Sequence, residues 1–159
     1  MMRWKKFAFL FSAGLVWLAG CSLAPTQPEG FEVEPTTADQ PQIRPDPDTS
    51  KAALALLGKA REAAQQGNLT VAEAQLERAL RIEPDNAVLW HYMAKLRLHQ
   101  GQLSQAAGLA AKSNSLNRDN VQLQADNWRI IAHARYQNGD KAGAREAQQR
   151  ADELLKQQR

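Results

Sequence analysis

The chain has 159 residues and a formal charge of +3, with 20 Lys and Arg against 17 Asp and Glu. Three of the bases, Arg3, Lys5 and Lys6, lie in an N-terminal segment that we expect to be removed, so residues 21–159 carry 17 bases and 17 acids. A neutral chain lacks the positive charge that nonspecific nucleic-acid binding requires. The single Cys excludes an internal disulfide framework, and the length allows one modest domain.

The first 21 residues have the pattern of a lipoprotein signal peptide. A short basic start precedes 14 uncharged residues, 7–20, which are too few for a comfortable membrane span. This stretch runs into Leu18-Ala19-Gly20-Cys21 and resembles the bacterial lipobox. The resemblance implies that residues 1–20 are cleaved and that Cys21 becomes an N-terminus with three acyl chains, enough for stable anchoring. The alternative is an ordinary signal peptide or membrane anchor with an incidental Cys.

The residues after Cys21 indicate where the protein is held. Ser22 and Leu23 stand in place of the Asp that often marks inner-membrane retention. We therefore expect a lipid anchor in the outer membrane, with the body of the protein on the periplasmic face.

Residues 22–49 are predicted to form a tether. They contain six of the seven prolines, six acids and one base, and too few apolar groups to offset the entropy of ordering. One apolar patch, Phe31-Glu32-Val33-Glu34, is either a docking peptide or incidental composition. The tether has a net charge of −5 and residues 51–159 have a net charge of +5, so a head that binds its own tether is a further possibility.

From Ser50 onwards the composition favours helices, because Ala, Leu, Gln, Arg and Glu dominate. Breakers at Gly67-Asn68, Gly101-Gln102 and Gly139-Asp140 recur after 34 and 38 residues. A capping box at Thr70–Glu73 is predicted to fix the start of the second helix. The pattern predicts an all-α domain over residues 50–159 with six helices at about 50–66, 70–82, 86–100, 104–116, 120–138 and 141–157.

Paired helices with a period of 34 residues are typical of tetratricopeptide repeats. The stretches Trp90-His91-Tyr92-Met93-Ala94 and Trp128-Arg129-Ile130-Ile131-Ala132 resemble the family's opening Trp with its following apolar and small residues. The second helices keep small residues where paired helices approach closely, at Ala72, Ala79, Ala106, Ala110, Ser113, Ala144 and Ala151. The resemblance implies about three helical hairpins that form a short right-handed solenoid.

The chain also departs from the family pattern. The usual Tyr of the first helix is replaced by Ala63, Arg97 and Arg135, so we expect that packing site to differ. Four extra residues before Ala125 lengthen the fifth helix by about one turn. Gln148 stands where a large apolar residue packs, which suits the last repeat of an array.

Family likeness implies a curved scaffold whose first helices line a concave, protein-binding groove. The groove positions form three stripes, one on each first helix, with successive members four residues apart. The stripes are Leu57-Arg61-Gln65, His91-Lys95-His99 and Arg129-His133-Gln137, and Leu98 and Tyr136 lie beside them. Residues one turn apart share a helix face, and these stripes hold three cations, three histidines and no acid. We expect the groove to bind a peptide with carboxylates and an apolar anchor. The alternative is that the cations are solvated surface charges.

No cofactor, metal or catalytic site is predicted. His91 and His99 lie about 12 Å apart along their helix, too far to share one ion at ~2 Å ligand distances. Histidine titrates near pH 6.5, so a pH-dependent groove is a hypothesis. The sequence contains no phosphate-binding glycine loop, nucleophile elbow or paired-His zinc helix, which disfavours an enzyme with a small-molecule substrate.

The layout of anchor, tether and helical-repeat head resembles the lipoproteins that activate class A penicillin-binding proteins. The resemblance implies a periplasmic adaptor that binds such a peptidoglycan synthase and regulates cell-wall synthesis. The alternative is an assembly lipoprotein for a pilus or secretion system, which usually carries more repeats.

Overall fold

The computed structural model describes residues 43, 45, 47–117 and 119–158. The predicted signal peptide, Cys21 and the Phe31–Glu34 patch lie outside this part of the chain. The described residues form no strand and six helices: α1 (Lys51–Gln65), α2 (Leu69–Ile82), α3 (Ala87–His99), α4 (Leu103–Leu116), α5 (Val121–Gln137) and α6 (Lys141–Lys156). These helices confirm the predicted all-α fold. None of them is both long and apolar enough to cross a membrane.

Short polar side chains start most of the helices. Asn68, Asn86, Asn120 and Asp140 each accept a hydrogen bond from a backbone N–H in the first turn that follows. The predicted capping box is wrong, because α2 begins at Leu69 and Asn68 caps it. Glu73 does not bond back to the start of α2, because its carboxylate binds Arg97 of α3.

Three glycines with positive φ angles turn the chain between the paired helices. Gly67, Gly101 and Gly139 have φ angles of 76°, 73° and 85°, a region that glycine enters without the penalty of a Cβ. Each follows the first helix of a pair, so α1 packs on α2, α3 on α4 and α5 on α6. The helix α5 has 17 residues against 13 in α3, which agrees with the predicted extra turn.

Small side chains bring the helices close together. The predicted small positions are buried in all three second helices, including Ala79, Ala110 and Ala144, which are fully inaccessible. Larger apolar residues such as Leu76, Leu89 and Leu123 fill the space beside them. Gln148 stays half-exposed on α6 and donates to Asp152, as expected for the last helix of an array.

Arg97 and Arg135, which occupy the family's Tyr position, each form a hydrogen bond to a neighbouring helix. Arg97 donates to Glu73 Oε1 at 2.6 Å and so joins α3 to α2. Arg135 donates to the Gly143 carbonyl at 3.1 Å and joins α5 to α6. The bond from Arg97 also holds the pKa of the Glu73 carboxyl below its ordinary value. Polar bonds thus replace aromatic packing at these two sites.

Part of the segment predicted as tether packs on the helices. Ile43 and Thr49 are 6% and 9% exposed, and Ile43 belongs to the first hydrophobic cluster. The Ser50 N–H donates to Glu83 Oε1 at 2.7 Å, and Asn86 Nδ2 donates to Glu83 and to Thr49. This strap, defined here as residues 43, 45 and 47–49, therefore joins the start of α1 to the turn between α2 and α3.

Asn86 should contribute more to stability than the other asparagine caps. Its Oδ1 accepts from the N–H groups of Val88 and Leu89, while its Nδ2 holds the strap. We expect Asn86→Ala to lower the free energy of unfolding by about 1–2 kcal/mol, in the upper range for a lost cap. Urea unfolding followed by circular dichroism measures this change.

The matched control is Asn68→Ala, which removes a cap with a single backbone bond. Its effect should be about half as large. An equal or larger loss in Asn68→Ala would contradict this account of Asn86.

Candidate functional site

The predicted groove corresponds to the surface of α1, α3 and α5, which we call the first-helix face. The structure brings most of the predicted residues to this face as half-buried or exposed side chains: Arg61, Lys95, Leu98, His99, Arg129, His133 and Tyr136. This is an arrangement that can bind a ligand without rearranging the core.

Two predicted groove residues belong to the core. Leu57 is 3% exposed and His91 is fully buried, so neither reaches a ligand on this face. Leu57 packs with Ala60 and Leu89 in the first hydrophobic cluster. His91 is drawn inwards because α5 supplies polar partners for its ring. The prediction for these two residues is therefore corrected.

An aromatic contact links the first two repeats on this face. The Arg61 guanidinium of α1 lies 5.7 Å from the centroid of the Tyr92 ring on α3. This is within the range of a cation–π interaction, which at an exposed site contributes about 0.5–1 kcal/mol. The Tyr92 ring also meets His91 edge-on, with ring centroids 5.3 Å apart.

The first-helix face carries positive charge without matching acids at its surface. Among the described residues, no carboxylate forms an ion pair with Arg61, Lys95 or Arg129. Asp126 of α5 has a side chain only 7% exposed and faces His91 in the interior. A ligand that brings carboxylates to this face therefore meets three cations with no competing surface acid in ion-pair range.

The histidines differ in what they can contribute to pH dependence. Burial, opposed by the charge of Asp126, lowers the pKa of His91 to about 4. His91 therefore does not change its charge between pH 5.5 and 7.5, and that part of the pH hypothesis is wrong. Burial and the nearby His99 charge also hold the pKa of His133 below its ordinary value. His133 and Gln137 are hydrogen-bonded on the same helix.

A buried polar network that the sequence did not predict lies beneath this face. Asn127 Oδ1 accepts from His91 Nδ1 at 2.8 Å, and Asn127 Nδ2 donates to Ser113 Oγ at 2.7 Å and to Asn114 Oδ1 at 2.9 Å. The Ser113 hydroxyl in turn donates to the Ala87 carbonyl at 2.8 Å. The network thus ties α3, α4 and α5 together, and its Asn127 amide uses both donors and its oxygen.

The bonds of Asn127 also fix the tautomer of His91. Since the Asn127 oxygen accepts, Nδ1 of His91 carries the proton, and Nε2 points towards Asp126 Oδ2 at 3.4 Å. His, Asp and Ser side chains recur in hydrolase active sites. Here Asn127 separates Ser113 from His91, and the side chains of Ser113, His91 and Asn127 are fully buried. The geometry supports a structural role for the network. The described residues contain no group of three or more candidate metal ligands.

The pH dependence of stability tests this description of His91. The unfolded chain binds the proton near pH 6.5 and the folded chain only near pH 4, so the unfolded state binds more protons in between. The contribution of this group is complete above pH 6.5, and we expect it to fall by roughly 3 kcal/mol as the pH drops to 4. Urea unfolding at several pH values measures this slope.

The control is His91→Gln, which removes the titrating group. The difference between the unfolding free energies of the unmodified protein and this variant, measured against pH, gives the contribution of His91. The variant should show a shallower decline between pH 6.5 and 4. Parallel profiles, or an NMR titration of His91 with a midpoint near pH 6.5, would refute the lowered pKa.

Comparisons with known proteins agree with this fold. The sequence profile of the tetratricopeptide repeat matches residues 63–125. The globular C-terminal domain of P. aeruginosa LpoP is 39% identical, with a TM-score of 0.63 over 65% of this chain and 97% of that domain. The N-terminal domain of stress-induced protein-1 (STI-1) from C. elegans shares the fold, with 17% identity and a TM-score of 0.61 over 70% of this chain and 95% of that one. A comparison with curated proteins finds no match. The chain therefore belongs to the tetratricopeptide-repeat proteins, in the family of the LpoP globular domain.

Proposed function

We propose that this protein is a periplasmic adaptor that binds a class A penicillin-binding protein and raises its activity in peptidoglycan synthesis. Residues 1–20 act as the signal peptide, the lipid on Cys21 holds the protein in the outer membrane, and the residues that follow form the tether. The head binds the synthase through its first-helix face. No cofactor and no nucleic acid takes part.

The observation that carries this proposal is the 39% identity to the LpoP domain across nearly all of that domain. The predicted lipobox, Pro-rich tether and helical-repeat head add the layout of lipoproteins that activate such synthases. A pilus or secretion role, the alternative from sequence, has no comparable support in the relatives that were found.

The chemistry of the first-helix face supports binding to an acidic segment of the partner. Arg61, Lys95 and Arg129 lack ion-pair partners among the described residues, so a carboxylate gains a partner without breaking an existing bond. Leu98 and Tyr136 lie beside them and offer apolar surface for an anchor side chain. Complementary charge of this kind also speeds encounter and selects against basic partners.

Activation needs only a difference in affinity. If the head binds an active conformation of the synthase more tightly than an inactive one, binding shifts the population towards the active form. A tenfold difference in affinity corresponds to about 1.4 kcal/mol. This is the size of one well-placed charge-assisted hydrogen bond, and so one acidic segment on the partner is sufficient.

A capture experiment tests the partner and the surface together. Residues 21–159 with Cys21→Ser serve as tagged bait for detergent-solubilised envelopes, beside a Lys95→Glu/Arg129→Glu bait. We expect the first bait to recover a class A penicillin-binding protein and the second to recover at least tenfold less. Purified synthase should also polymerise glycan faster with the first protein than with the second.

The matched control is Arg145→Glu/Arg150→Glu, which makes the same charge change on exposed positions of α6. It should bind and activate like the unmodified bait. Equal recovery by all three baits would leave the partner in place and refute the first-helix face. Recovery of pilus or secretion components without a synthase would refute the function.

A further inference from the structure

A second surface lies on the other side of the repeat, between α2, α3 and α4. This α2–α4 cleft has a volume of about 560 Å³ and an apolar floor made by Leu80, Trp90, Met93 and Leu109. Its rim consists of Glu77, Arg81, Arg97 and Gln105. The first-helix face does not include it, and the proposed function does not use it.

Two cations are available to a ligand here, Arg81 in the lining of the cleft and Lys112 beside it. Arg97 is held by Glu73, but among the described residues Arg81 and Lys112 form no ion pair. Lys112 Nζ lies 3.8 Å from the centroid of the Trp90 ring, so it sits at the edge of the apolar floor. Glu77 is the one acid on the rim. The surroundings therefore suit a short segment that combines apolar and acidic side chains.

A glycine keeps the cleft open at the centre of α4. Gly108 lines it, and a Cβ built there meets no atom within 4 Å. Glycine inside a helix costs about 0.5–1 kcal/mol relative to Ala, and the packing of the head gives nothing in return. A ligand chain that approaches the helix closely would account for the missing side chain.

We propose that Phe31-Glu32-Val33-Glu34 of the same chain binds in the α2–α4 cleft. In an extended segment alternate side chains lie on opposite sides, so Phe31 and Val33 face the apolar floor together. Glu32 and Glu34 then lie on the opposite side of the segment, away from the floor, where the long side chains of Arg81 and Lys112 supply positive charge. This assigns a role to the apolar patch of the predicted tether.

The chain is long enough for this contact. It joins the head at Ile43, which belongs to the same hydrophobic cluster that includes Met93, with Leu80 and Leu109 packed against it. The roughly nine peptide units from Glu34 to Ile43 span at most about 30 Å, and a 14-residue helix such as α4 is about 21 Å long. Because Ile43 shares its cluster with Leu80, Met93 and Leu109, which line the cleft, a linker of this length is compatible with the contact.

The contact would limit how far the head can extend from the lipid anchor. With the patch bound, only the residues from Cys21 to Gly30 separate the lipid from the head, whereas release adds the stretch up to Ile43. This consequence rests on the proposed lipid anchor, but the contact itself does not.

Disulfide trapping in the mature chain, residues 21–159 with Cys21→Ser, tests the contact. A Val33→Cys/Gln105→Cys pair, with Gln105 in the lining of the cleft, should form an intramolecular disulfide under mild oxidation at least about tenfold faster than a Val33→Cys/Lys95→Cys pair. The second pair is the matched control, because Lys95 lies on the first-helix face. Adding Glu32→Gln/Glu34→Gln to the first pair should slow its oxidation towards the control rate.

A second measurement needs no new Cys. With Trp128→Phe, Trp90 is the only Trp of the mature chain, and Phe31→Ala should increase its quenching by acrylamide at least about twofold. Equal disulfide rates for the two pairs, disulfide-linked dimers in place of monomers, or unchanged quenching would each overturn the proposal. No synthase is present in these experiments, so their failure leaves the proposed partner untouched.

Discussion

The array depends on the bonds of one buried amide, that of Asn127. It links His91 of α3, Ser113 and Asn114 of α4, and its own helix α5, so three helices from two repeats meet at one side chain. Leaving a buried polar group without its hydrogen bond costs about 1–3 kcal/mol, so losing Asn127 would penalise both His91 Nδ1 and Ser113 Oγ. These bonds therefore favour the observed register between the second and third repeats. The positions of Lys95 and Arg129, which flank the network on α3 and α5, follow from that register.

The junction between the first and second repeats is built differently. The helices α2 and α3 share a smaller contact than α4 and α5. The buried cluster of Leu57, Leu76 and Leu89 crosses it. The polar contacts across it are partly exposed: Glu73 with Arg97 and Gln100, Arg61 with Tyr92, and the strap at Thr49. Regions with fewer buried contacts open at lower free energy. We therefore expect the first hairpin to exchange its amide hydrogens faster than the other two, and a partner that spans Arg61 and Lys95 to slow that exchange.

Local chemistry predicted most of the fold, and long-range pairing decided the rest. Glycines at Gly67, Gly101 and Gly139, with small residues at repeat spacing, identify the hairpins because each acts within its own turn or helix pair. The absence of a capping-box bond from Glu73 and the burial of His91 depend on distant residues, Arg97 and Asn127, whose positions no local pattern specifies. One signal was nevertheless present: Asn127 lies three and four residues before Ile130 and Ile131, on the face that must be buried. A polar residue on the buried face of a helix requires a hydrogen-bond partner in the interior. His91 on α3 is that partner for Asn127 on α5.

The central claim is that the first-helix face binds a class A penicillin-binding protein. Hydrogen exchange of residues 21–159, with Cys21→Ser, alone and in complex with the purified synthase, tests it most directly. The account predicts slower exchange in α1, α3 and α5 around Arg61, Lys95 and Arg129, with α6 unchanged. Protection confined to the second helices α2, α4 and α6, or no protection at a synthase concentration that saturates activation, would contradict it.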